Sequence, residues 1–153
     1  MSPSPAAGDA PRWQLRLAFA NRRDELTRVI AEVEAFAEEH RLSARDRFVL
    51  NLVVDELATN LLEHSAAPAG QRAIELRARV HAGRLELELE DDGAAFDPLT
   101  IPPPTADQPV RERPIGGLGI HLVRQTVDDI RYQRRGDRNC VSVVCRLEPA
   151  AAG

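Results

Sequence analysis

Two consecutive alternating runs constrain this fold more than any other feature of the chain. "AIELRARV" places Ile74, Leu76, Ala78 and Val80 on one side, and "LELELEDD" repeats the pattern with Leu85, Leu87 and Leu89. A period of two is the signature of a strand. The "HAGR" turn between the runs predicts an antiparallel hairpin with one apolar face. Such a face has to be covered, so the chain must fold in layers with helices laid on a sheet.

The rest of the sequence supplies those layers. "WQLRLAF" alternates Trp13, Leu15, Leu17 and Phe19 as another half-buried strand. "DELTRVIAEVEAFAEEH" repeats Leu26, Val29, Ile30, Val33 and Phe36 at helical spacing. A second helix, "LSARDRFVLNLVVDELATNLLEHS", opens with Ser43 and Asp46 in capping-box positions. From Phe48 to Val54 it is apolar nearly all round and should be deeply packed. "GGLGIHLVRQTVDDI" reads as a third helix with Leu118, Leu122, Val123 and Val127 as its buried stripe, and "VSVVCRL" as a closing strand. The expected order is β-α-α-β-β-loop-α-β, a two-layer α/β sandwich.

A chain of 153 residues fits one domain, which we bound at 12–147, with tails at 1–11 and 148–153. A net charge of −4 predicts neither a nucleic-acid-binding nor a membrane-binding surface. "MSPSPAAGDAP" lacks the basic-then-apolar pattern of a signal peptide. Cys140 and Cys145 have odd spacing, which turns them to opposite faces of a strand. Both are expected to be reduced, in a cytoplasmic protein.

Asp91 takes the next place in the row of Leu85, Leu87 and Leu89. Either the strand stops at Glu90 and Asp91 opens a solvated turn, or Asp91 is an acceptor inside a pocket. An amino group such as adenine N6 would suit it, because an ionised carboxylate only accepts. Asp92 is expected to point into solvent, and Gly93 permits positive φ or close backbone approach. Further on, "PIGGLGI" sets Gly116, Gly117 and Gly119 at a helix start, which is either a flexible loop or an anion site. All 20 basic residues are Arg. Without Lys this turn is not a P-loop, and without a preceding strand it is not a dinucleotide fingerprint.

Glu56, Asn60 and His64 recur at four-residue spacing, so they share one helix face. That face is either solvated or functional. In the second case Asn60 offers an oxygen to a hard cation such as Mg²⁺, and Glu56 can orient or deprotonate a nucleophile.

These pieces together resemble the GHKL ATPase superfamily, whose ATP-binding unit is the Bergerat fold. Within it the chain looks most like the bacterial anti-sigma factor serine/threonine kinases. "DELATNLLEH" is similar to the N-box, which implies Glu56 as general base and Asn60 as the Mg²⁺ ligand. "DDGAAFDP" resembles the G1 box, placing Asp91 on adenine with Gly93 beside it, although Ala95 stands where a second glycine is usual. A left-handed backbone there would cost alanine about 1 kcal/mol or more. "GGLGIHLVRQTVDDIRY" resembles the G2 box, with Gly117, Leu118 and Gly119 at the phosphate-facing turn. The resemblance covers Asp24 to Leu147 and implies a mixed sheet backed by helices. It also implies a lid at about 97–116, with Arg111 and Arg113 as candidate phosphate contacts. His64 is either a further phosphate contact or a surface histidine.

By this resemblance the chain is expected to bind ATP and Mg²⁺ and to phosphorylate a serine of a small antagonist (anti-anti-sigma) protein. It should also bind a sigma factor, and because related kinases are often dimers the resemblance implies a homodimer. The alternatives are a nucleotide-gated binding module without phosphorylation and, last, the catalytic domain of a histidine kinase. That reading ranks last because it expects a helical hairpin with a phosphoacceptor His ahead of the ATP-binding motifs, and the residues that stand before them in this sequence do not read as one.

Overall fold

The computed structural model describes residues 12–64, 67–68, 70–102 and 117–149. Expectations for 1–11, for the lid residues 103–116 with Arg111, Arg113 and Gly116, and for 150–153 lie outside these. Along the chain come β1 (Leu15–Ala20), α1 (Arg23–Glu39), α2 (Ala44–His64), β2 (Ala73–His81) and β3 (Arg84–Asp91). After a 3-10 turn at Pro98–Thr100 follow α3 (Gly117–Thr126), β4 (Asp129–Arg135) and β5 (Arg138–Arg146). The strands make one sheet in the order β1-β2-β3-β5-β4.

Every pairing in that sheet is antiparallel, which corrects the expected mixed sheet. Two helices separate β1 from β2, so the chain comes back reversed. The single helix α3 does join two strands of like direction, β3 and β4, but β5 lies between them and opposes both.

A second correction concerns β4. The third helix was expected to run to Ile130, but α3 ends at Thr126. "DIRYQRR" then forms an edge strand, and Gly136, at φ 61°, turns the chain into β5. Only Ile130 and Tyr132 are apolar in this strand, and charge along an edge is a normal defence against stray pairing. Among the described side chains of α3, Ile120 and Val123 are buried, whereas Leu122 is exposed; the side chain of Leu118 lies outside the described residues.

The core lies between one sheet face and the helices. Leu17 and Phe19 of β1, Ile74, Leu76 and Ala78 of β2, and Leu85, Leu87 and Leu89 of β3 are all buried against it. Val29, Val33 and Phe36 of α1 and Val49, Leu50, Val53, Val54 and Leu57 of α2 face them. Phe48 is the exception to the all-round burial expected of α2, at 65 % exposed. Ser43 Oγ caps α2 by accepting from the Asp46 N–H at 3.0 Å. The Asp46 carboxylate serves another end, accepting from the Glu148 N–H at 2.8 Å. Trp13 also departs from the expected inward row. It precedes β1 and lies beneath Arg77 and Arg79 of β2.

The opposite sheet face is a charge lattice. Arg77 bonds Glu90 at 2.7 Å, Glu88 at 3.0 Å and Glu75 at 3.2 Å, and Arg138 bonds Glu90 at 3.0 Å. Burial alone would push the Glu90 carboxyl up, but the hydrogen bonds and charges of Arg77 and Arg138 outweigh it and hold it below its ordinary value. No helix among the described residues is long and apolar enough to cross a membrane.

Candidate functional site

Asp91 ends β3 with its side chain on the core side, 7 % exposed. Its Oδ1 accepts from the Gly93 N–H at 2.8 Å and from Asn139 Nδ2 at 3.1 Å. The strand does not stop at Glu90, so the solvated-turn alternative fails. Asp92, expected in solvent, instead accepts from the Ala73 N–H at 3.1 Å and ties the end of β3 to β2.

Gly93 is required by close approach, not by its backbone angle. A Cβ there would stand 2.7 Å from Asp91 Oδ1 and press on the carboxylate. Ala95 does not take a left-handed φ, a conformation that among described non-glycine residues is confined to Arg41 and Ala82. The strain expected from the missing glycine is therefore absent.

A pocket of about 210 Å³ opens beside Asp91, walled by Ile74, Leu61, His64, Arg72 and residues 93–96. His64 stacks on Phe96 across its rim, with ring centroids 4.9 Å apart. A smaller cleft joins Asp91 and Phe96 to Asn60. Asn60 is 4 % exposed, and its Oδ1 has no hydrogen-bond partner. A buried acceptor left unpaired is costly, and a hard cation would satisfy it. The donor available is thus of the kind Mg²⁺ takes.

One turn earlier, Glu56 meets the start of α3. A Cβ on Gly119 would fall 1.6 Å from Glu56 Oε2, so only glycine lets the helix turn lie against that carboxylate. Burial, followed by the neighbouring charges of Asp55 and Glu63, raises the Glu56 pKa above the ordinary carboxylate value. Gly117 and Leu118 open the same helix.

The structure thus brings Glu56, Asn60, His64, Asp91, Gly93 and Gly119 together along one side of α2. With a rise of 1.5 Å per residue, Glu56 and His64 lie about 12 Å apart along the axis. One end of this row touches the glycine turn of α3, and the other borders the Asp91 pocket.

Asn139 is the residue the sequence reading missed. It pairs with Asp91 in the β3–β5 register and is 4 % exposed. The signal was present, because Cys145, Val143 and Val141 alternate inward along β5 and Asn139 continues their row. The same break of pattern singled out Asp91.

A family model described as the histidine kinase-like ATPase domain matches residues 19–145. The serine/threonine-protein kinase BtrW of Bordetella bronchiseptica is 32 % identical over 117 residues, 76 % of this chain and 82 % of that protein. The serine-protein kinase RsbW of Bacillus subtilis is 30 % identical over 88 residues, 55 % of each. The chain therefore spans about half the length of that RsbW relative. Among solved structures, the RsbU and RsbW domains of a Mycobacterium tuberculosis protein share the fold, with a TM-score of 0.62 at 15 % identity. That likeness covers 90 % of this chain and 34 % of the other.

Proposed function

We propose, on the premise that this chain belongs to the histidine kinase-like ATPase domain family, that it is an ATP-dependent protein serine/threonine kinase. Its substrate is a small antagonist protein of the anti-anti-sigma type, and a sigma factor is its second partner. The observation that carries this reading is the polar row of α2, which joins the Asp91 pocket to the glycine turn of α3.

In this reading adenine enters the pocket and its N6 amine donates to Asp91. The triphosphate runs toward the start of α3, where free N–H groups and the positive helix end favour negative charge. The turn of Gly117, Leu118 and Gly119 forms that cradle, and Arg113 of the lid supplies a further cation. Asn60 holds Mg²⁺ through its unpartnered oxygen. When bound, the ion neutralises phosphate charge.

Glu56 is the base. It accepts the proton of the substrate serine hydroxyl as that oxygen bonds to the γ-phosphorus and the bond to the β-phosphate oxygen breaks, leaving ADP and phosphoserine. Its raised pKa makes it a stronger proton acceptor than an ordinary carboxylate while it is ionised. The setting is the cytoplasm, where Cys140 and Cys145, both free and buried, remain thiols. A homodimer is the assembly this reading carries.

The test is transfer from γ-labelled Mg·ATP in a lysate of the source cell, with wild type beside Glu56→Gln. One small protein carrying labelled phosphoserine, absent with the variant, is the expected result. No label from a wild type that binds ATP would overturn the kinase reading and leave a nucleotide-gated binding module.

A further inference from the structure

We infer that Asn139 is a positioning residue that leaves Asp91 one free acceptor and so selects adenine over guanine. The inference rests on the reading above, in which Asp91 receives the base.

Five hydrogen bonds converge on this buried amide. Nδ2 donates to Asp91 Oδ1 at 3.1 Å and to the Ala94 carbonyl at 2.8 Å. Oδ1 accepts from the Phe96 N–H at 3.1 Å, from the Tyr132 hydroxyl at 2.6 Å and from Arg134 at 3.1 Å. Its orientation follows from its neighbours. Exchanging oxygen and nitrogen would set an NH₂ against an N–H and a guanidinium, and a carbonyl against two acceptors. Arg134 also donates to the Gly93 carbonyl at 2.8 Å, so one cluster holds residues 93–96 and the carboxylate together.

The consequence for Asp91 is asymmetry. Oδ1 already takes two N–H donors, from Gly93 and from Asn139, which leaves it a poorer acceptor for a third than the open Oδ2. Both of the hydrogen bonds Asp91 makes within the described structure fall on Oδ1, leaving Oδ2 as the open acceptor.

Adenine offers a single amine, N6, beside an acceptor nitrogen, and one free carboxylate oxygen matches it. Guanine offers an N1–H and an amine side by side, a pair best met by both oxygens of one carboxylate. With Oδ1 filled, a guanine in this pocket keeps one buried donor unpaired. Sites reject a ligand that leaves buried polar groups unpaired, here by roughly 10- to 100-fold.

The test compares Mg·ATP and Mg·GTP dissociation constants for the full chain, with thermal melts of each variant. Asn139→Asp retains an oxygen for Phe96, Tyr132 and Arg134 but loses both N–H donors. Asn139→Ser is a second variant with no added charge. Tyr132→Phe removes one donor to Asn139 Oδ1 and leaves the Asp91 bond intact.

Wild type is expected to prefer ATP by about 10-fold or more. Both Asn139 variants should bind ATP roughly 10-fold more weakly or worse, with the ATP-to-GTP preference falling toward one. Tyr132→Phe should keep that preference. A merely structural Asn139 would weaken both nucleotides equally, and an unchanged ratio in either folded variant overturns the inference. A wild type indifferent between ATP and GTP overturns it without any variant. Binding of neither nucleotide by wild type would refute the nucleotide reading itself, a distinguishable failure.

Discussion

Replacing Gly119 with alanine tests the contact between α2 and α3 more sharply than any change to a charged group. The new methyl carbon would lie 1.6 Å from Glu56 Oε2, 2.2 Å from Cδ and 2.8 Å from Oε1. The obstacle is the far end of a flexible side chain, so the carboxylate moves and the helices stay. Reaching ordinary contact requires a displacement of about 2 Å. An off-rotamer Glu56 costs about 0.5–1.5 kcal/mol, and alanine in place of glycine within a helix returns up to about 1 kcal/mol. Stability should therefore barely change.

Activity should change greatly. A misplacement of about 1 Å can cost about 100-fold, and a general base contributes about 10²–10⁴-fold in all. Single-turnover transfer to the serine substrate should fall at least about 100-fold in Gly119→Ala, with the melting temperature near that of wild type. Adding Gly119→Ala to Glu56→Gln should slow the reaction no further, because both changes remove the same group. Wild-type transfer by Gly119→Ala would refute the argument. Multiplicative losses in the double variant would show that the methyl group acts on the phosphates instead.

Asp91→Asn should weaken ATP binding roughly 10- to 150-fold without unfolding the domain, the equivalent of about 1.5–3 kcal/mol; calorimetric titration beside a thermal melt checks both halves. Glu56→Gln should melt above wild type at neutral pH, with the gap closing in acid. Since the folded pKa of Glu56 is raised, its contribution to stability is fully present below the unfolded value and is lost as pH rises through the folded one. Glu90 has the opposite sign, because its folded pKa is lowered. It should stabilise above the unfolded value of about 4.5 and lose that contribution as pH falls through the folded pKa. Arg138→Met should make the loss of melting temperature between pH 7 and pH 3 smaller than in wild type.

What the sequence revealed depended on whether local pattern and tertiary packing agreed. The β2–β3 hairpin and the burial of Leu85, Leu87 and Leu89 were legible because alternation reports directly which face is buried. Asp91 was legible as a break in that alternation. β4 was not, since an edge strand with two apolar residues has almost no periodic signal, and "TVDDI" extends the helical pattern past its real end. Trp13 misled because period two holds only while the chain is a strand, and β1 begins two residues later. The contact of Glu56 with Gly119 joins residues more than 60 positions apart, and no local pattern encodes it.

The position of β5 has a consequence for how the molecule is made. β5, the last strand among the described residues, fills the gap between β3 and β4, away from either sheet edge. A ribosome delivering residues in order therefore produces β1, β2 and β3 first, with the far side of β3 unpaired, and completes the sheet only when Arg138–Arg146 emerges. Asn139 arrives at that same moment, so the carboxylate of Asp91, bonded until then by the nearby Gly93 N–H, gains its second donor only when β5 is made. A nascent chain stopped short of β5 would carry most of the core residues and still lack the Asn139 side of the pocket beside Asp91. Capture of a nucleotide would then report that synthesis has passed residue 139.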